Sequence, residues 1–293
     1  MKKRSGYFIY NPAFISAFKD WLYGKLGFNL ITGLVVFLLF RPDANAQILD
    51  VAYVPTPDDV VERMLEMANV GPGDYVIDLG CGDGRIVIAA AKRGAFGHGV
   101  DIDPQRIKEA QENANKAGVA DKVIFVEENI YDTDFSRANV IAMYLFPSIN
   151  IKLRPSLLEN LEPGSRIVSH DFNMDEWKAD KQHGRMAEHA IHFWIVPAKV
   201  EGAWSWKNAG KEFKMSAGQK FQKLELGILS DGLTLNVENS LLSGKRISFI
   251  VTNPSNQKKY IYSGQVNEGE ISGIVQIHDG NNKSVENWTA VLK

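Results

Sequence analysis

The fold is indicated most directly by the stretch DLGCGDG at residues 78–84. It follows the apolar run YVI at residues 75–77 and precedes RIVIAAAKR at residues 85–93, which has the composition of a helix. A short buried strand, a glycine-dense turn and a helix predict a βα unit whose turn presents backbone amides to a ligand at the helix N-terminus. A dinucleotide fingerprint beginning at Gly80 would require glycine at position 85, where Arg85 stands, so a nicotinamide-dependent reductase is disfavoured.

Acidic residues and prolines mark the next unit of the predicted sheet. The run GHGVDIDP at residues 97–104 comes one crossover helix later, where the second parallel strand should end. Its acid Asp101 is placed to accept hydrogen bonds from the two hydroxyls of a ribose. Asp103 and Pro104 have the residue types of a helix N-cap and first helical position, and Gly118 should end that helix. Further strands are predicted at 123–126, from 140 onward and at 166–170.

This order of features carries a family resemblance. An acidic residue followed by glycines at 80, 82 and 84 resembles motif I of the class I S-adenosylmethionine (SAM) methyltransferases. The resemblance implies a Rossmann-like α/β sheet with helices on both faces and SAM as the cofactor. It also implies which residues bind each part of SAM: Gly80 and Gly82 the methionine portion, Asp78 its amino group, Asp101 the ribose, Ile102 and Ile130 the adenine faces, and Asn129 the adenine edge. Asn129 stands where the family usually carries an acid, and its amide oxygen can accept the same hydrogen bond.

Two shorter motifs narrow the resemblance to one group of methyltransferases. Together with the glycine loop, YVPTP at residues 53–57 and YLFP at residues 144–147 resemble small bacterial methyltransferase-domain proteins. These are similar in turn to mitochondrial protein-lysine methyltransferases that act on the ATP-synthase c-subunit. The resemblance spans roughly residues 48–197. It implies that Tyr53 and Thr56 contact the cofactor and that Tyr144 and Pro147 belong to the loop that receives the methyl acceptor.

The amino-acid composition limits the classes of partner that the protein can bind. Residues 47–198 carry 15 basic and 24 acidic side chains, a balance that would repel a phosphate backbone, so no nucleic-acid partner is predicted. An acidic surface suits a cationic protein substrate, although ordinary solubility is the favoured explanation. The single cysteine, Cys81, lies in the glycine loop and is interpreted as a small filler of that turn. His183, His189 and His192 do not have the spacing of metal ligands on a strand, so no metal is predicted.

Residues 1–46 have the pattern of a targeting segment. The basic run KKR at residues 2–4 is followed by a mostly apolar stretch at residues 28–40 and by ANA at residues 44–46. This order predicts a signal peptide cleaved before Gln47, because the apolar stretch is shorter than the roughly 20 residues of a membrane span. An uncleaved anchor, with membrane association through this segment, and a start codon assigned too early are the alternatives. The predicted location is therefore periplasmic or secreted, anchored, or cytoplasmic if the segment is no signal.

The last third of the chain changes to a period of two. Apolar residues alternate in short runs separated by turn signals such as SDG at residues 230–232 and DGNN at residues 279–282. This pattern predicts an antiparallel β barrel or sandwich in which Trp204, Trp206 and Trp288 fill the core. The predicted domains are a methyltransferase domain at residues 47–198 and a β domain at residues 199–293, joined by a short exposed connection.

The sequence therefore predicts a SAM-dependent methyltransferase whose acceptor is suggested, by resemblance alone, to be a lysine amine of a protein. A second hypothesis belongs to a different class. It is an exported binding module that has kept the nucleotide fold and uses its β domain to hold a partner. The intact Asp78, Gly80, Gly82 and Asp101 favour the enzyme. The cytoplasmic origin of SAM favours the binding module, because an exported enzyme would need its cofactor supplied across the membrane.

Overall fold

The computed structural model describes residues 53–184 and 189–293. These residues form a mixed sheet of seven strands with helices, followed by a closed barrel of eight strands. Residues 1–46, for which the targeting segment is predicted, lie outside the described residues. Within the described ranges, no helix has both the length and the apolar character needed to cross a membrane.

The first part alternates helices and strands. Its elements are α1 (Asp58–Met67), β1 (Tyr75–Leu79), α2 (Arg85–Lys92), β2 (Phe96–Asp101), α3 (Pro104–Ala117), β3 (Val123–Glu127), β4 (Val140–Met143), α4 (Pro147–Asn160), β5 (Arg166–His170), β6 (Lys181–His183) and β7 (Ile191–Ile195). The strand order is β3-β2-β1-β4-β5-β7-β6, with β1 to β5 parallel and β6 and β7 antiparallel. The predicted Rossmann-like methyltransferase sheet is confirmed. Because β1 to β5 are parallel, the residues that follow them meet at one edge of the sheet.

The predicted helix ends are correct for α3 and wrong for α1. Asp103 caps α3 by accepting a hydrogen bond from the Gln105 amide at 2.8 Å, and Gly118 ends the helix in the left-handed region at φ 69°. The run TPDD at residues 56–59 predicts Thr56 as the N-cap of α1 and Pro57 as its first residue. In the structure Pro57 occupies the N-cap position, without a side-chain bond. The Thr56 hydroxyl instead lies 3.2 Å from Nδ1 of His170, because the chain before α1 runs across the end of β5.

The C-terminal part is an up-and-down antiparallel barrel, which decides between the barrel and the sandwich of the sequence prediction. Its strands are β8 (Gly202–Asn208), β9 (Lys211–Lys220), β10 (Lys223–Ser230), β11 (Leu233–Ser243), β12 (Arg246–Thr252), β13 (Lys259–Asn267), β14 (Glu270–Asp279) and β15 (Asn282–Leu292), with β15 pairing back to β8. Trp204, Trp206 and Trp288 are at most 4% exposed, which confirms that they fill the barrel core. The indole N–H of Trp206 donates to the Tyr262 hydroxyl at 3.1 Å, so the polar end of this buried side chain is paired.

The connection between sheet and barrel is buried, so the predicted exposed connection is wrong. Val196, Pro197 and Ala198 are all buried. The Val196 amide donates to the Ser165 carbonyl at 2.9 Å, and the Ala198 amide donates to the Gly244 carbonyl in the barrel at 2.9 Å. The chain is thus covered by the sheet on one side and by a barrel turn on the other. The domain limits themselves stay a prediction.

Candidate active site

The glycine loop joins β1 to α2 in the way that motif I requires. The amides of Gly80 and Cys81 both donate to the Val100 carbonyl, at 2.8 and 2.9 Å, which ties the loop to the end of β2. Gly82 has a φ of 52°, a conformation that side chains with a Cβ rarely adopt. A Cβ built on Gly82 would also lie 2.3 Å from Cε2 of Tyr53. Glycine is required here by the backbone conformation and by the close approach of Tyr53.

Asp101 at the end of β2 organises the same loop. Its Oδ2 accepts a hydrogen bond from the Gly82 amide at 2.8 Å, and its Oδ1 accepts one from the Asp103 amide at 3.0 Å. Each carboxylate oxygen has a further lone pair for a ligand hydroxyl. The structure therefore brings together Gly82 and Asp101, which were predicted separately for the methionine portion and the ribose.

Asp78 is a buried acid at the end of β1. Only 2% of the residue is exposed, and no hydrogen bond reaches its carboxylate from the described residues. Burial, with the charges of Asp101 and Asp83, raises the pKa of Asp78 to about 8. A cationic group bound here would offset the burial of the carboxylate, which suits the predicted role of binding an amino group.

Tyr53 lies over the glycine loop. Its ring contacts Gly82 on one side, and the guanidinium of Arg106 lies 4.5 Å from the ring centroid. Burial, and then the charge of Asp83, raises the pKa of Tyr53. Asp83 is itself paired with Arg85 at 2.7 Å. Although burial raises the pKa of Asp83, the hydrogen bonds and charge of Arg85 lower it overall.

Two contacts fix Thr56, at the end of the segment that begins with Tyr53. Arg85, on α2, donates to the Thr56 carbonyl at 2.8 Å. The Thr56 side chain is buried beside His170. Tyr53 therefore lies against the glycine loop, whereas the Thr56 side chain contacts His170 at the end of β5. Contact of either residue with the cofactor stays a prediction.

The residues predicted for the adenine follow two neighbouring strands. Ile102 comes directly after β2, and Asn129 and Ile130 come after β3. The Glu128 amide donates to the Asp101 carbonyl at 3.0 Å, which holds these two strand ends together. Ile130 packs against the sheet core. Asn129 is exposed, and its amide oxygen accepts a bond from the Tyr131 amide at 3.0 Å, so this oxygen already shapes the local turn.

The predicted acceptor loop follows β4, and its aromatic residues pack on the end of β5. The ring centroid of Tyr144 lies 4.0 Å from that of His170 and 5.9 Å from that of Phe172. The Tyr144 hydroxyl donates to Oδ2 of Asp171 at 3.4 Å. Burial, and then the negative charge of Asp171, raises the pKa of Tyr144. Pro147 is exposed and begins α4, where it shapes the loop and contributes no polar group.

His170, Asp171 and His189 form a cluster that the sequence prediction missed. Nε2 of the fully buried His170 lies 3.0 Å from Nδ1 of His189 and 3.5 Å from Oδ2 of Asp171. Burial lowers the pKa of His170. Asp171 and His189 both have positive φ, 58° and 57°, which is uncommon outside glycine. His170 and Asp171 had one available signal, since they end the predicted fifth parallel strand at the ligand-binding edge.

The comparisons with known proteins identify the family. Residues 78–181 match the model described as the ANTKMT methyltransferase domain. The protein-lysine N-methyltransferase of Saccharolobus islandicus is 42% identical over 152 residues, which are 50% of this chain and 94% of that protein. The chain belongs to this methyltransferase family. The matched residues include the glycine loop, Asp101 and Tyr144, whereas the barrel lies outside them.

Two further comparisons each cover about half of the chain. The lysine N-methyltransferase of the ATP synthase c-subunit from Homo sapiens is 28% identical over 163 residues, which are 53% of this chain and 70% of that protein. A solved structure described as an RNA methyltransferase from Salinibacter ruber in complex with S-adenosyl-L-homocysteine is 48% identical and covers 50% of this chain and 96% of that one, with a TM-score of 0.49.

Family membership confirms the predicted SAM-dependent methyltransferase and does not favour the alternative of a binding module. The residues present fit the cofactor. Asp78 is a buried acid that no other described residue pairs, which suits the amino group, and Asp101 keeps lone pairs for the ribose hydroxyls. The placement of the individual cofactor contacts stays a prediction.

Proposed function

We propose that the protein methylates the ε-amine of a lysine side chain in a protein substrate. The observation that carries this proposal is the pairing of Tyr144 with Asp171 at the acceptor loop. A carboxylate beside a phenol binds an ammonium by charge and by hydrogen bonds, whereas it would repel the phosphates of a nucleic acid. The names of the family relatives, which include a protein-lysine methyltransferase and a lysine methyltransferase of the ATP-synthase c-subunit, support the same acceptor.

Aromatic side chains complete the acceptor side. Phe146 is 45% exposed, and its ring centroid lies 5.8 Å from that of Phe172, which in turn stacks with Tyr144. Aromatic faces attract a cation and also cover the aliphatic stem of a lysine. These rings exclude water from the acceptor nitrogen, and Asp171 holds it in place.

When bound, SAM supplies an electrophilic methyl group on its sulfonium. The residues of this chain bring that group and the acceptor together, which is the main requirement of a displacement between two bound partners. Asp78, Gly82 and Asp101 hold the cofactor at the ends of β1 and β2. Tyr144 and Asp171 hold the amine at the ends of β4 and β5, along the same edge of the sheet.

The test is a methyl-transfer assay with three acceptor types. The purified chain is incubated with methyl-labelled SAM and a lysine-containing protein mixture, the same mixture with its amines chemically blocked, and a short RNA. We expect label in the first mixture alone, with the modified residue located by mass spectrometry of peptides. Label in the RNA, or label that survives amine blocking, would contradict a lysine acceptor.

We propose separately that residues 1–46 direct the chain to or across a membrane. The support is the order of basic, apolar and A-x-A segments before Gln47. Intact-mass measurement of the protein from its own host tests this, because a mature chain beginning at Gln47 is expected. Retention of Met1 in a soluble cytoplasmic fraction would contradict it.

A further inference from the structure

Lysine methylation produces a proton that the site must release. The reaction forms a nitrogen–carbon bond and breaks a sulfur–carbon bond, whose electron pair stays on sulfur. A lysine enters as an ammonium at neutral pH and must lose one proton so that its nitrogen has a free electron pair. The acceptor side of this site is lined by aromatic rings, so the structure should offer a route for that proton. This inference rests on the proposed lysine acceptor.

A continuous row of polar groups leads from the acceptor loop to solvent. It begins at the Tyr144 hydroxyl, which lies 3.4 Å from Oδ2 of Asp171. The same carboxylate oxygen lies 3.5 Å from Nε2 of His170, and that nitrogen lies 3.0 Å from Nδ1 of His189. His170 is fully buried, whereas His189 is exposed. Two steps, from Asp171 to His170 and from His170 to His189, therefore connect the buried part of the site with solvent.

The Thr56 hydroxyl accommodates the tautomer that such a route needs, because a hydroxyl can accept as well as donate a hydrogen bond. Its hydroxyl lies 3.2 Å from Nδ1 of His170 and accepts a bond when that nitrogen carries the proton. Nε2 is then the basic nitrogen, and it faces Asp171 and His189. Among the described residues, the Tyr144 ring also packs against the His170 ring in a tilted arrangement, and Arg85 donates a hydrogen bond to the Thr56 carbonyl.

His192 packs behind the carboxylate rather than in the row. Its Nε2 lies 3.3 Å from the backbone carbonyl of Asp171, and burial lowers its pKa. Burial also lowers the pKa of His170, so the ring is neutral at neutral pH and a proton received on Nε2 is readily passed on.

We propose that Asp171, His170 and His189 carry the proton of the acceptor ammonium to solvent. Asp171 accepts it from the ammonium, Nε2 of His170 takes it from Asp171, and the same nitrogen passes it to Nδ1 of His189. No electron transfer or further reactant is required. Asp171 contacts the acceptor and is a catalytic residue, whereas His170 and His189 act through it.

The kinetic test replaces the exposed end of the row. His189→Ala removes the last acceptor, with His183→Ala as the control because His183 is exposed on the short strand β6. We expect His189→Ala to lower kcat about tenfold while the KM for the lysine substrate and the affinity for SAM stay unchanged. Added imidazole should restore most of the rate, because it replaces the missing proton acceptor. An unchanged kcat, or a lowered kcat that imidazole does not raise, would overturn the proposal.

A spectroscopic test needs no acceptor and separates this proposal from the proposed function. In nitrogen-15 imidazole spectra of the full chain, His170 should be neutral with its proton on Nδ1. His189→Ala should shift the His170 Nε2 resonance, and His183→Ala should leave it unchanged. A proton on Nε2 of His170 would overturn the route even if lysine methylation is found.

The third test measures the metal content of the purified protein. The three side chains place ligand atoms within 4.8 Å of one another, so a zinc ion is the competing occupant. One zinc retained per chain and lost in His189→Ala would make these groups ligands and would also overturn the proposal.

Discussion

The carboxylate of Asp101 accepts a hydrogen bond from the backbone amide of Gly82 at 2.8 Å. The residue that is expected to bind the ribose therefore also fixes the shape of the glycine loop. A substitution at Asp101 removes both interactions together, so its effect on cofactor binding should exceed that of one lost ribose contact.

Replacing Asp101 with Ala should weaken SAM binding by at least about 100-fold, since hydrogen bonds to a charged group contribute about 1.5–3 kcal/mol each and both expected ribose bonds are lost. Calorimetric titration of the variant with SAM measures this change. Asp121→Ala is the matched control, because Asp121 is an exposed acid in the short helix Ala120–Lys122. An Asp101→Ala protein with the affinity of the parent would disprove the assignment.

Asp78 should make SAM binding depend on pH. Its pKa is about 8, so the carboxyl group is mostly protonated in the free protein at neutral pH. A bound ammonium favours the carboxylate and lowers this pKa. Binding below pH 8 should therefore release a proton from Asp78, and the affinity for SAM should fall as the pH is lowered through this range.

The released proton is measured by titrating SAM in two buffers with different ionisation enthalpies. Asp78→Asn should abolish the release, because its amide does not titrate, whereas Asp121→Asn should leave it intact. Equal proton release in Asp78→Asn and in the parent would assign it to another group.

The glycine loop, the acid at the end of β2 and the parallel strands β1 to β5 could be predicted because each leaves a local signal. A strand end, a glycine or a helix cap is visible within a few residues, and parallel strands then bring these ends to one edge. Asp78, Gly82 and Asp101 lie where that argument places them. Trp204 was likewise predictable as core from the period-two pattern of the barrel.

The histidine cluster depends on contacts that the sequence does not reveal. His170 and His189 are 19 residues apart and meet because β7 returns antiparallel to β5, with His170 opposite Ile191. Thr56 was interpreted as a helix cap because its local sequence favours one. The distant contact with His170 replaces that role.

Replacing Gly82 with Ala should weaken SAM binding by displacing Tyr53. The added Cβ would lie 2.3 Å from the Tyr53 ring, and the positive φ adds a cost of about 1 kcal/mol. Gly118→Ala is the control, because Gly118 also has positive φ but has no described atom within 4 Å of its Cβ position. Equal SAM affinities in the two variants would show that the Tyr53 contact is unimportant.

Replacing Tyr144 with Phe should lower kcat about tenfold, which corresponds to about 1.4 kcal/mol in the activation barrier. The ring that packs against His170 stays, and only the hydroxyl that contacts Asp171 is lost. The affinity for SAM should not change, because no predicted cofactor contact involves this hydroxyl. Tyr260→Phe is the control, since it makes the same change inside the barrel. A weakened SAM affinity without loss of kcat would show that Tyr144 contributes to cofactor binding and not to the acceptor site.

The barrel should stabilise the methyltransferase part through Phe221, in the turn between β9 and β10. The Phe221 ring stacks with the fully buried Trp177 at a centroid distance of 5.9 Å, and the Arg154 guanidinium lies 5.3 Å from its centroid. Phe221→Ala should lower the free energy of unfolding by about 1–3 kcal/mol in urea denaturation, because it removes this contact and uncovers Trp177. Leu241→Ala, at a side chain that is 66% exposed, is the control and should change little. If Phe221→Ala unfolds at the same urea concentration as the parent, the Phe221 contact does not stabilise the methyltransferase part.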